Sequence, residues 1–138
     1  MIYQNSITIE MEKGIHIKDI TALIEYEVRK SNIKTGLVNI FVTGSTGSVT
    51  TIEYESGVVE DLKRIINDIA PEGDIYKHEL AWHDGNGHSH IQAALLGPSL
   101  TVPVNNFSLL LGTWQQIVVI NHDNKRRKRN VAITVTGE

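Results

Sequence analysis

Cysteine is absent from the 138-residue chain, which excludes disulfides, thiolate zinc sites and a cysteine nucleophile. Basic charge is also in short supply. Thirteen Lys and Arg (13) against 16 Asp and Glu leave a net charge of −3, so the overall field gives no argument for nucleic acid or an anionic membrane as partner. No apolar run approaches the ~20 residues that span a bilayer. The N-terminal "MIYQNSITIE" has neither the basic start nor the apolar stretch of a secretory signal, and a cytoplasmic protein is the expectation. Linkers, low-complexity tracts and internal repeats are missing too. The length suits one domain covering 1–138.

What is present is an ordinary globular balance, 41% apolar and 21% charged. "SITIEM" alternates Ile7, Ile9 and Met11 with polar residues, the period of a half-buried strand. In "KDITALIEYEVRKSN" the period changes: Ile20, Leu23, Ile24 and Val28 share a helical stripe, Asp19 stands where it can cap the first turn, and Glu25 pairs with Arg29. Gly36 is available for the turn that follows. "LVNIFVT" (37–43) is apolar on both faces and reads as a central, doubly covered strand. A small-residue loop leads to a further strand, "VTTIEY". A second helix follows with Val58, Leu62, Ile65, Ile66 and Ile69 on one face, Ser56 near its start and Pro71 as its stop. Beyond it lie short strand candidates: "IYKHELAW", "HIQAALL", "LTVPV", "SLLL", "QQIVVIN" and "NVAITVT". Two early helices followed by many strands predict an α+β fold. Its two packed, mostly antiparallel sheets form a jelly-roll-like sandwich with both helices on one side. Edge strands in so small a sandwich invite burial in an oligomer.

Four of the six histidines crowd into "YKHELAWHDGNGHSHIQAALLG": His78, His83, His88 and His90. On a strand, His88 and His90 would project from one face and converge on a metal ion, with His78, Glu79 or Asp84 as the third ligand. The competing account is a solvated polar turn. For His83, beside Trp82 and Asp84, stacking or capping is the preferred account, and His16 and His122 receive no role. "GSTGSVTTIE" has the composition of a phosphate-cradling loop, but it lacks a P-loop lysine and a following helix, so a tight strand connection competes with that reading. Glu53 and Glu55 are spaced to share a strand face and hold magnesium; for Glu55 a plain solvent-facing charge is preferred. "KRRKR" (125–129) reads as a solvated hairpin tip after Asp123-Asn124, from which an arginine fork can reach a phosphate. In "LGTWQQI", Gly112 supplies a turn, Trp114 a core or interface anchor, and Gln115 a donor and an acceptor.

"YKHELAWHDGNGHSHIQAALLGPSLTVPV" followed by "LLLGTWQQIVVI" closely resembles the YjbQ-like family, also called the secondary thiamine-phosphate synthase family, from about Gly36 to the terminal "ITVTGE". The resemblance implies two packed sheets with helices on one side and a homotrimer with polar sites near subunit boundaries. It also implies a weak activity joining a pyrimidine pyrophosphate to a thiazole phosphate. Carried over by residue, it points to His78, His90, Asn86, Glu53 and the tetrad Gly112 to Gln115. Two departures stand out. Gly44 replaces the histidine that opens the family's "HTT" segment, and Phe107 stands where members usually have glycine. The family's basic tail aligns with Arg126 or Arg127.

The function expected from all this is a metal-assisted enzyme acting on a small phosphorylated substrate. A divalent metal, zinc or magnesium, would sit on His78, His88 and His90. Glu53 and His90 would be catalytic, and Thr46, Ser48, Asn86, Gln115 and Arg127 would bind substrate. The alternative is a non-catalytic trimeric protein that binds a metal or small ligand. A cupin-like oxygenase is disfavoured, because "IQAALL" after His90 lacks the needed carboxylate. Neither nucleic acid nor membrane is expected as a partner.

Overall fold

The structure, a computed structural model, describes residues 1–138. It has eight strands and four helices in the order β1 (Ile2–Met11), β2 (His16–Asp19), α1 (Thr21–Ser31), β3 (Thr35–Val42), β4 (Gly47–Glu53), α2 (Ser56–Ile69), α3 (His78–Trp82), α4 (Gly87–Leu96), β5 (Ser99–Asn105), β6 (Ser108–Leu109), β7 (Gln115–Asn121) and β8 (Arg127–Gly137). A five-stranded sheet runs β1-β8-β3-β5-β6 and a three-stranded sheet runs β2-β7-β4; every pairing is antiparallel. This is the α+β two-sheet architecture that the alternating patterns predict. No helix is long and apolar enough to cross a membrane.

The main core lies between the sheets. Ile9, Val38, Ile40, Val102, Ile133 and Val135 of the larger sheet meet Val49, Ile117 and Val119 of the smaller one, with Ile24 and Val28 of α1 closing the layer. The other face of the small sheet is covered separately, by Ile17, Val118 and Ile120 packing against Ile66, Val59 and Leu62 of α2. Hence β7, not β3, is the doubly covered strand: Ile117 to Asn121 are all buried. The expectation for 37–43 is corrected, since Leu37 is 49% exposed and Phe41 40% exposed on the outer face of the larger sheet, which no helix covers.

Four local expectations also change. "HELAW" and "GHSHIQAALL" are helices, not strands. In the second, the buried pairs His88 with Gln92 and Ser89 with Ala93 follow the helical period, which the abundance of His and Gly in the sequence obscures. Gly36 is no turn; it lies inside β3, where a Cβ would come within 1.9 Å of the Thr136 carbonyl oxygen. Glu55 is more than a surface charge, because its carboxylate accepts from the Gly57 and Val58 amides at 2.7 and 2.9 Å and so caps α2. The basic run is only partly a hairpin tip, since Arg127, Lys128 and Arg129 belong to β8. "SLLL" contributes only the two residues of β6.

Candidate functional site

Because α4 is a helix, residues two apart point about 200° away from each other, and His88 and His90 do not converge. His88 turns inward, only 3% exposed, with Nε2 4.0 Å from Glu72 Oε2 and Nδ1 without a partner. It lines a cavity of ≈ 330 Å³ between α2 and α4. His90 turns the other way and meets His78 of α3, their ring centroids 4.5 Å apart. His78 Nε2 lies 3.3 Å from Asp84 Oδ1, within ion-pair reach though poorly aligned for a hydrogen bond. The metal set expected from His78, His88 and His90 is therefore not assembled: the ligand atoms that converge belong to His78, Glu79 and Asp84.

The α3–α4 connection holds these groups together. The Glu79 carboxylate accepts from the Gly85 and Gly87 amides at 2.7 and 3.0 Å, tying the start of α4 to α3. Ligand atoms of His78, Glu79 and Asp84 all lie within 4.8 Å of one another. Burial, followed by the neighbouring His78, pushes the His90 pKa below the ordinary imidazole value, which keeps its ring neutral. Burial alone would raise Asp84, but the Asn86 amide and His78 outweigh it and hold the carboxyl below its usual range.

Asp123 organises the next layer. Its Oδ2 accepts from Thr46 Oγ1 at 2.9 Å, Asn86 Nδ2 at 3.2 Å and Arg127 Nε at 3.0 Å, while Oδ1 takes the Lys125 amide at 3.0 Å. Burial raises its pKa, and the bonds from Thr46, Arg127 and Asn86 overcome this and lower it, so it remains a carboxylate. Asn86 Oδ1 accepts from the Ser89 hydroxyl and, at 3.1 Å, from the Asn124 amide. Beneath Thr46 lies Arg129, 5% exposed. Its Nη2 donates to Thr46 Oγ1 at 2.7 Å and to Asn121 Oδ1 at 2.5 Å, and its Nε donates to the same oxygen at 3.2 Å. Thr46, Asn86 and Arg127 are thus brought together around Asp123, a residue whose local sequence marks it only as part of a turn. The Thr46 hydroxyl already gives its one hydrogen to Asp123, so its role is to hold the site, not to donate to a ligand.

Ser48 does not face this site. It is fully buried with its Oγ 2.7 Å from His122 Nε2, and His122 Nδ1 lies 3.0 Å from Gln92 Oε1. Gln92 Nε2 donates to the Ala70 carbonyl at 2.8 Å, which aims Oε1 at the histidine. Nδ1 therefore carries the proton and Nε2 accepts from Ser48. Burial, then Arg129, pushes His122 down to about 4.

Glu53 and Gln115 are not part of this cluster either. They pair with each other at one end of the β4–β7 ladder, while Gly47 and Asn121 pair at the other. Six residue steps of strand separate these ends by ~20 Å. Gln115 accepts from the Gly112 amide at 3.0 Å and donates to Thr51 at 3.1 Å. Trp114 is 72% exposed, so it is no core anchor; together with Asp19, Glu53, Tyr54, Glu55 and Gln116 it lines a second cleft, of ≈ 480 Å³.

Comparison with known proteins agrees with this architecture. Residues 5–138 match the family model described as UPF0047 protein YjbQ-like. A UPF0047 protein of Methanothermobacter thermautotrophicus is 32% identical over 99% of this chain and 94% of its own length. The UPF0047 protein YjbQ of Salmonella typhimurium is 32% identical, with both chains fully covered (100% of each). Among solved structures, a YbjQ-like protein of unknown function from Sulfolobus solfataricus superposes with a TM-score of 0.95 at 33% identity, covering 100% of this chain and 99% of that one. A hypothetical protein from Aeropyrum pernix gives 0.92 at 30% identity, with 99% of each chain covered.

Proposed function

Starting from the chain's membership of the UPF0047 YjbQ-like family, we propose that it is a cytoplasmic, metal-assisted enzyme acting on a small phosphorylated substrate. The reaction is formation of thiamine phosphate from a pyrimidine pyrophosphate and a thiazole phosphate. The observation that carries this reading is the convergence of ligand atoms of His78, Glu79 and Asp84 within 4.8 Å of one another, with the His90 ring beside His78 at 4.5 Å between centroids. One imidazole with two carboxylates is a mixed nitrogen and oxygen set, which suits zinc better than magnesium with its all-oxygen shell. The buried His78 Nε2, with no aligned partner, is a donor atom free for such an ion. When bound, the cation would neutralise charge on the departing pyrophosphate.

The remaining work falls to the protein's own groups. Asp123 grips Arg127 through Nε alone, which leaves both Nη groups for phosphate oxygens. His90, held neutral, is placed to accept a proton. Glu53 can join only from another copy of the chain, because its own end of β4 lies ~20 Å from the imidazoles. A catalytic Glu53 therefore requires another copy whose Glu53 and Gln115 end meets the His90 end, an arrangement that a homotrimer would supply.

The same separation supports a second reading, a non-catalytic trimer that binds a metal or small ligand. Metal content decides the first step. Purified protein is expected to carry about one zinc per chain, lost in the double variant His78→Ala, Asp84→Ala. Equal metal in both would sink the centre. Product formation then separates enzyme from binder. Glu53→Gln and His90→Ala should each lower the rate at least ~100-fold, and an unchanged rate in either removes that residue from catalysis.

A further inference from the structure

The "GSTG" turn between β3 and β4 has no part in the reading above, yet three features meet there. The backbone amides of Gly44, Ser45 and Thr46 have no acceptor within the chain. The turn forms one wall of a cavity of ≈ 270 Å³ that also contains His90. Directly beneath it lies the guanidinium of Arg129. A Cβ on Gly44 would be 3.1 Å from Arg129 Nη1, and one on Gly47 would be 3.0 Å from its Nε. The guanidinium thus lies just behind the turn that walls the cavity, close to the bare Cα atoms of two glycines.

Arg129 also has no carboxylate in direct contact, Asp123 acting on it only from a distance. It enters none of the ion pairs of the molecule. Its bonds go to the neutral side chains of Thr46 and Asn121, through Nε and Nη2, and Nη1 makes none. Asp123, the carboxylate that shares Thr46 with it, is already held by Arg127 at 3.0 Å. A guanidinium so deeply buried normally has an anionic partner, and consecutive unpaired amides at a glycine turn form an anion-binding concavity.

We propose that the Gly44–Gly47 turn is a cradle for a phosphoryl oxyanion, with Arg129 as its charge and the bare Cα of Gly44 as its opening. Arg129 would fix the phosphoryl group from below while the turn amides bond it from the side, next to His90. The proposal rests on the reading of the substrate as phosphorylated and names the residues that recognise that group. On this reading the two same-face arginines of β8 divide the work: Arg127 is anchored by Asp123 at the surface, and Arg129 acts from within.

The test uses inorganic phosphate on the full-length protein in EDTA, so that no metal contributes. In ¹⁵N-labelled protein the Arg129 Nε–Hε resonance, identified by its absence in Arg129→Lys, is expected to shift saturably with phosphate and not with chloride at equal ionic strength. Gly44→Ala, checked for an unchanged fold by its amide spectrum, is expected to weaken phosphate about tenfold or more by covering Nη1. Should Arg129→Lys fail to fold, the wild-type titration and Gly44→Ala still decide the matter. Saturation that moves the Arg127 signal but leaves Arg129 still would overturn the cradle, as would the absence of saturable binding or an unaltered affinity in Gly44→Ala. Phosphate bound at Arg129 by a protein that takes up no metal and forms no thiamine phosphate would end the metal-assisted reading and leave the cradle standing.

Discussion

His122 shows what burial does to a single titratable group. Sealed between Ser48 and Gln92, its ring has a pKa pushed from 6.5 to about 4. In the unfolded chain the ring binds a proton near pH 6.5, and in the native state it resists until about pH 4. Across that interval the unfolded state holds more protons, so stability is complete above pH 6.5, declines as pH falls, and levels off below 4. The full loss is about 3 kcal/mol. Denaturant unfolding at pH 7, 5.5 and 4 should show it, and His122→Asn should flatten the profile over the same range. Asp123 supports the opposite charge. Its Oδ2 gathers Thr46, Asn86 and Arg127, and Asp123→Ala is expected to cost about 2–3 kcal/mol by leaving buried donors unpaired. A loss below ~0.5 kcal/mol, the range of an ordinary surface change, would mean that these groups find other partners.

At the scale of elements, the site depends on how α3 and α4 are joined. Glu79 reaches from α3 to the Gly85 and Gly87 amides at the entry to α4, and with the Asn86 amide bonded to Asp84 it helps to hold His78 against His90. Glu79→Ala should cost about 1–2 kcal/mol. It should also weaken zinc binding by more than Glu79→Gln does, because the amide oxygen still accepts. Equal zinc affinity in all three proteins would show that the pair assembles without the tie. Gly87 opens α4 against Tyr76, and a Cβ there would approach Tyr76 Cβ to 2.6 Å. Gly87→Ala should therefore destabilise by about 1–3 kcal/mol, measurable as a lowered melting temperature, although alanine is otherwise the better helix former. These two helices were the part of the fold least legible beforehand. The segment from His78 to Leu96 carries His, Asp, Gly and Asn where a periodic apolar stripe would announce a helix, whereas α1 and α2 display such stripes openly.

For the whole molecule, the main consequence is that the polar groups lie at two ends of one small sheet. If Glu53 of one copy serves His90 of the next, Glu53→Gln and His90→Ala proteins should each be inactive alone yet recover activity when refolded together in equal amounts. Random assembly of a cyclic trimer restores both intact residues at about one quarter of the sites. Mixed trimers without recovery would show that no site spans the boundary. The uncovered outer face of the larger sheet, with Leu37 and Phe41 exposed, fits an assembling protein as well, but its sequence signal was misleading. A run apolar on both faces in β3 imitates a buried strand, and the strand truly covered on both sides is β7.

The sequence by itself determined the sheet strands with clean alternation, the helices α1 and α2 with their apolar stripes, the antiparallel α+β class and the family. Each of these follows from local periodicity or from a contiguous motif, and both are readable along the chain. It also singled out His78, His90, Asn86, Thr46 and Arg127, because their residue types are chemically suited to a site. Only the tertiary structure decided which of them meet. Whether i and i+2 share a face depends on the helix or strand they occupy, so His88 left the site, and of the expected groups His78, Glu79 and Asp84 are the ones that converge. Whether a charge is solvated depends on what packs around it, so Arg129, read as part of a surface turn, proved to lie inside the molecule. Contacts between residues far apart in the chain, such as Thr46 with Asp123 and Arg129, are products of sheet register, which no single segment encodes.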